Sequence, residues 1–273
     1  MEKAFEYRIK SVELSSGVKL PYAEQEDPSG IPLLLLHGYV DSWRSFELVL
    51  PSLPDSAHAI ALTQRGHGDA SRPPTGYRPR DHAADVAEFM DALQLKAAVI
   101  AGGSSGGFAA RRLAMDYPER TLGLVLLGSP FTLRDKPEVQ EMWQSTISGL
   151  TDPVDPGFVR EFQESTHVRP VPADFLCTMI EESLKVPARV WRATLEGLLE
   201  EDSSEDLGKI KAPTLILWGD QDAVVPLGDQ EKLAAGIEGA QLVVYPGVGH
   251  AIYWEAPGQV ATDIGVFIEE HAR

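Results

Sequence analysis

Residues 97–110 read AAVIAGGSSGGFAA. A short apolar run leads into glycines and serines, and small residues continue beyond them. The run suits a buried strand, the tail suits the start of a helix, and the junction is too tight for large side chains. A G-x-S-x-G spacing is that of a strained turn with a serine at its apex and the hydroxyl exposed above a sheet. Two registers fit. Gly102-Gly103-Ser104-Ser105-Gly106 puts Ser104 at the apex, and Gly103-Ser104-Ser105-Gly106-Gly107 puts Ser105 there. Taken alone, the stretch also reads as a glycine–serine turn without chemistry.

Outward from this turn, strands and helices alternate. Residues 5–13 and 18–24 alternate apolar and polar around Ser15-Ser16-Gly17, the pattern of a hairpin. Residues 33–36 and 57–62 are short apolar runs that suit buried strands. Helices are expected over 43–50 and 81–93. After the turn, a helix runs to Asp116 and stops before Pro118, and 122–127 is another buried strand. The rhythm breaks after Ser129-Pro130. From 131 to 210 the pattern predicts helices only, over 137–148, 156–164, 173–185 and 188–199. Residues 200–206, EEDSSED, read as a solvated acidic hinge. Strands return at 214–218 and 241–245, and helices at 227–235 and 257–271. This alternation predicts an α/β core with a mainly parallel sheet, built from residues 1–130 and 211–273, and a helical cap over 131–210.

The 273 residues suffice for one large domain with an insertion, and 43% hydrophobic residues are ordinary for a soluble globular chain. The net charge of −17 disfavours nucleic acid and anionic membrane surfaces, which need clustered Lys and Arg. No apolar run reaches the roughly 18 residues of a membrane span. The N-terminal residues lack the apolar core of a secretory signal. The single cysteine, Cys177, cannot close an internal disulfide, and it reads as a packed apolar side chain. These features suggest a cytoplasmic location.

The chain resembles the α/β-hydrolase family. Many members read G-x-S-x-G-G and then reach A-x-x-[YH]-P-E-R. Ser104-Ser105-Gly106-Gly107 is followed without a gap by Ala114-Met115-Asp116-Tyr117-Pro118-Glu119-Arg120 when Ser104 is the apex, so the resemblance selects Ser104. Residues 217–226, LWGDQDAVVP, resemble the family's W-G-x-x-D-x-x-x-P loop, with the match on Asp222. Asp220 is the near alternative and reads better as a turn cap. Gly247-Val248-Gly249-His250 resembles the G-x-G-H loop. The resemblance implies a mostly parallel eight-stranded sheet flanked by helices, and a triad of Ser104, Asp222 and His250. One departure is Gly103, where many relatives carry His or Gln; this glycine implies an emptier space beside the serine.

In that reading the hydroxyl of Ser104 needs a base, His250, which Asp222 orients. The oxyanion hole is expected from the backbone N–H groups of Tyr39 and Ser105. The other histidines lack this context: His37 and His67 suit loop hydrogen bonding, and His58, His82, His167 and His271 suit surface or cap positions. No histidine spacing suits a metal, so no metal and no cofactor is expected. The expected substrate is a small-molecule ester or lactone, mainly apolar and small to medium in size. Gly38 on the core and Trp143, Met179 and Trp191 on the cap are the expected contacts. Cleavage of carbon–carbon bonds in diketone-like substrates, amide hydrolysis and peracid formation use the same triad and stay open, as does a non-hydrolytic receptor of the same fold. Epoxide hydrolases and haloalkane dehalogenases carry Asp where this chain has Ser104, which disfavours both.

Overall fold

A computed structural model describes residues 7–25 and 29–271. The expected strand start at Phe5 lies outside them. Among the described residues, eight strands form one sheet: β1 (Tyr7–Glu13), β2 (Lys19–Gln25), β3 (Ile31–Leu36), β4 (Ala57–Leu62), β5 (Ala98–Gly103), β6 (Thr121–Leu127), β7 (Thr214–Gly219) and β8 (Gln241–Tyr245). Their spatial order is β1-β2-β4-β3-β5-β6-β7-β8. The β1–β2 and β2–β4 pairs are antiparallel and all others are parallel, the mostly parallel eight-stranded sheet expected from the sequence.

Strands β3 to β6 are nearly continuous runs of Leu, Ile, Val and Ala because both sheet faces are covered. Helices α1 (Pro79–Ala92) and α2 (Gly106–Asp116) pack in the apolar layer on one face. The other layer holds Trp43, Phe46 and Trp254. The expected helix over 43–50 is instead two 3-10 turns, Trp43–Phe46 and Leu50–Ser52. Pro51, in the middle of the second turn, lacks an N–H to extend a helix.

Four helices lie between β6 and β7: α3 (Pro137–Ser145), α4 (Pro156–Glu164), α5 (Ala173–Leu184) and α6 (Ala188–Glu200). Their apolar faces close over a cluster centred on Val159, Ile180, Trp191 and Leu195. The expected solvated hinge is only partly solvated. Glu201 is buried and accepts from Arg112 Nε at 2.7 Å, and Ser204–Lys209 forms a 3-10 turn. Cys177 is exposed rather than packed. His82 and His58 are buried rather than superficial, and His58 Nε2 lies 2.9 Å from Glu24 Oε1. The chain closes with α7 (Leu227–Gly236), α8 (Ile252–Glu255) and α9 (Pro257–His271).

The strand order fixes where a site can form. β3 and β5 are neighbours, yet their onward connections go to opposite sides of the sheet, so a crevice opens at their carboxyl ends. His37-Gly38-Tyr39 leaves β3 there and Ser104 leaves β5.

Candidate active site

Ser104 sits at the apex of the turn with φ +48°, whereas Ser105 has φ −62° and stands at the N-cap of α2. A left-handed backbone at a residue with a side chain costs about 1–3 kcal/mol and persists only where its surroundings enforce it. They do so here by crowding. A Cβ on Gly102 would stand 2.5 Å from Gly106 O, and one on Gly107 would run into Ser129 Oγ. The backbone N–H of Ser104 donates to Leu127 O at 2.8 Å, which ties the apex to the end of β6.

The other two predicted side chains arrive from the ends of β7 and β8. Asp222 Oδ1 accepts from the backbone N–H groups of Val224 and Val225, each at 2.8 Å, and its Oδ2 lies 2.8 Å from His250 Nδ1. His250 Nε2 lies 2.9 Å from Ser104 Oγ. A carboxylate can only accept, so Nδ1 carries the imidazole proton and Nε2 accepts from the serine hydroxyl. Asp220 instead accepts from Gly247 N at 2.6 Å and lies exposed, away from the imidazole. Burial opposes a charge on His250, but Asp222's charge and hydrogen bond, helped by Asp41 and Glu255, raise its pKa above the usual imidazole value.

A cavity of about 240 Å³ opens over Ser104 and His250. Gly38, Tyr39 and Ser105 line it, as expected. Among the described residues, neither the Tyr39 nor the Ser105 backbone N–H is taken by a protein acceptor. The far wall is apolar and comes from the helical segment: Leu133, Val139, Met142, Phe162, Leu195 and Leu198.

Trp143, Met179 and Trp191 do not line the cavity, which corrects the expectation. Trp191 is wholly buried, with ring centroids 5.3, 5.5 and 5.4 Å from those of Tyr39, Phe158 and Phe162; it fills the centre of the helical cluster. Met179 is wholly buried against Ser45. Trp143 is half-buried on the outer cluster while its neighbour Met142 reaches the cavity, since adjacent helical residues point about 100° apart. The space beside Gly103 is not empty either. A Cβ there would stand 2.7 Å from the Tyr253 ring, which occupies that volume.

Sequence reasoning missed Asp41, Gln163, Tyr253 and Trp254, all of which line the cavity. Asp41 had one available signal, its place in the loop after β3. Gln163 on α4 donates from Nε2 to Asp41 Oδ1 at 2.9 Å and to Ser183 Oγ at 2.6 Å.

Behind the Gly38 and Ser105 backbone is a second, much smaller cavity of about 20 Å³, lined in part by His67, His82 and Thr194. His67 Nε2, both ring nitrogens of His82 and Thr194 Oγ1 are buried without a protein partner. His37 is fully engaged, accepting from Gln64 N at Nε2 and lying 2.8 Å from Gly38 O at Nδ1. Burial lowers the pKa of all three imidazoles, His67 to about 4. Among the described residues no cluster of His, Cys, Asp or Glu could hold a metal ion, and no helix is long and apolar enough to cross a membrane.

The sequence model of one family, described as "Alpha/beta hydrolase family", matches residues 33–263. A provisionally named non-heme chloroperoxidase from Synechocystis sp. is 32% identical over 250 residues, covering 85% of this chain and 89% of that protein. The 2-hydroxymuconate semialdehyde hydrolase of a Pseudomonas sp. is 29% identical, covering 89% of this chain and 88% of that protein. Among solved structures, a thermophilic esterase from Thermogutta terrifontis superposes with a TM-score of 0.83 at 25% identity, covering 97% of this chain and 100% of that one.

Proposed function

We propose, from the premise that this chain belongs to the alpha/beta hydrolase family, that it is a serine hydrolase cleaving a carboxylic ester or lactone through an acyl-enzyme. The observation that carries the reading is His250 bridging Ser104 and Asp222 at 2.9 and 2.8 Å. In the first half-reaction His250 Nε2 takes the hydroxyl proton as Ser104 Oγ bonds to the substrate carbonyl carbon. The carbonyl oxygen becomes an oxyanion, which the N–H groups of Tyr39 and Ser105 receive; one such donor is typically worth ~10²–10³ in rate. As the tetrahedral species collapses, the carbon–oxygen bond to the leaving group breaks, and the alkoxide departs with the proton from His250. Water then gives its proton to the same nitrogen, attacks the acyl carbon and frees Ser104.

Residues 131–210 act as the cap, and its apolar wall selects small to medium, mainly apolar acyl or alcohol parts. A cavity of about 240 Å³ supports that size range. The semialdehyde hydrolase among the relatives favours a second reading, carbon–carbon cleavage with the same triad, in which a carbanion rather than an alkoxide leaves.

The test is turnover of a short-chain p-nitrophenyl ester, combined with a fluorophosphonate label located by mass spectrometry. The wild type is expected to hydrolyse the ester and carry the label on Ser104. Ser104→Ala is expected to lose the label and at least roughly 10³-fold in kcat. Equal rates in both proteins refute Ser104 as the nucleophile, and loss in Ser105→Ala alone moves that role to the next residue.

A further inference from the structure

We propose that Asp41 determines specificity by selecting substrates that carry a hydrogen-bond donor, an amide N–H or a hydroxyl, beside the carbonyl that Ser104 attacks. This rests on the serine-hydrolase reading and narrows its substrate class.

The placement comes first. A Cβ on Gly38 would stand 3.3 Å from the Tyr253 hydroxyl, 3.4 Å from Asp41 Oδ2 and 3.4 Å from Ser104 Cβ. A carboxylate oxygen, a phenol and the serine side chain thus surround one spot on the cavity floor. Asp41 is also held in place. Gln163 fixes Oδ1 from the cap, donating from Nε2 at 2.9 Å. The residue is 4% exposed, so its carboxylate is held away from solvent.

The surroundings leave the carboxylate short of donors. Among the described residues no Lys or Arg lines the cavity, and the other acid there, Glu138, is exposed. The hydroxyls of Ser165 and Thr166 are turned to the carbonyls of Phe162 and Gln163 at 2.7 and 2.8 Å. A buried carboxylate is costly unless donors meet it. An N–H or O–H on the substrate supplies one, whereas a substrate carboxylate meets a like charge. Gln163, Ser45, His250, Glu182 and Tyr253 are the polar and charged groups that act on Asp41 or lie beside it. Burial pushes its pKa up to about 6, with Gln163, Ser45 and His250 drawing it down and Glu182 adding to the rise. Above that pH Asp41 is an acceptor only.

Two matched esters test the inference: methyl N-acetylalaninate and methyl 2-methyl-4-oxopentanoate, in which a CH₂ replaces the N–H. They differ in inherent reactivity, so the readout is the change in their kcat/KM ratio between proteins. In Asp41→Asn, Gln163 holds the amide oxygen and turns the NH₂ toward the substrate, donor against donor. The ratio is expected to fall by about tenfold or more. The wild type supplies a second readout that needs no variant. Its ratio is expected to fall as the pH drops through about 6, because Asp41 then protonates, while titration of His250 cancels between the two esters.

A ratio unchanged in Asp41→Asn, or flat in the wild type from pH 5 to 8, overturns the inference and leaves the hydrolase reading standing. A wild type labelled by fluorophosphonate on Ser104 yet inactive on the acetylated ester overturns the substrate class alone. A wild type neither labelled nor active on either ester refutes the hydrolase reading and this inference together.

Discussion

His250 and the trio of His37, His67 and His82 are all withdrawn from water, yet their affinities for a proton move in opposite directions. In the trio desolvation outweighs the backbone hydrogen bonds of His37 and His67, and neighbouring imidazoles or arginines add repulsion; the rings stay neutral well into acid. His250 meets the same desolvation, but the buried carboxylate of Asp222 at 2.8 Å outweighs it. Burial by itself therefore makes a histidine inert, and one fixed carboxylate turns a similar ring into a base that can hold the proton it takes. The two regions are close, since Gly38 and Ser105 border both cavities.

The sharpest way to break this contrast is Asp222→Asn, which moves His250 into the inert class. The expected cost is roughly 10²–10⁴ in kcat on an ester substrate. The pH profile of kcat/KM should shift with it. In the wild type activity is lost as the pH falls through a value above 6.5, since the folded pKa of His250 is raised. In the variant desolvation dominates and the midpoint should fall below 6.5.

A smaller effect lies in acid stability. The trio's folded pKa values are depressed, so the unfolded chain binds more protons than the native one between 6.5 and the folded value, about 4 for His67. Each such histidine should thus cost up to about 1.4 kcal/mol of stability per pH unit as the pH drops through that window. His250, with a raised pKa, works with the opposite sign: its contribution is present below 6.5 and lost as the pH rises through the folded value. Thermal unfolding of the wild type and His82→Leu from pH 7 to 4 measures the share of His82, and the variant should lose fewer degrees.

The smallest effect is at pH 7. Both ring nitrogens of His82 lack a protein partner, so His82→Leu should change stability by less than about 1 kcal/mol there by urea denaturation.

The serine turn was legible because backbone crowding dictates composition: only glycine fits at 102, 106 and 107, and that leaves a visible pattern. The sheet was legible because doubly covered strands must be apolar nearly throughout, and the wholly buried β4 matches its expected bounds residue for residue. The rest depended on distances that sequence does not carry. Asp41, Gln163 and Tyr253 come from three remote segments, and nothing near any of them hints at the others. On α3, Met142 and Trp143 are adjacent apolar residues, and only the helix's rotation about its axis decides which meets the cavity. His82 sits at a helical position that reads as surface until the loop and cap residues that cover it, His67, Tyr77 and Thr194, are known.

Tyr253 filling the room beside Gly103 means that these two positions share one volume. A lineage that acquired His or Gln at 103 would have to shrink or displace the aromatic at 253, and neither change would be tolerated before the other without a clash or a void. Any side chain added at 103 therefore has to be matched by a smaller one at 253, and the two positions behave as a single steric lock beside the serine.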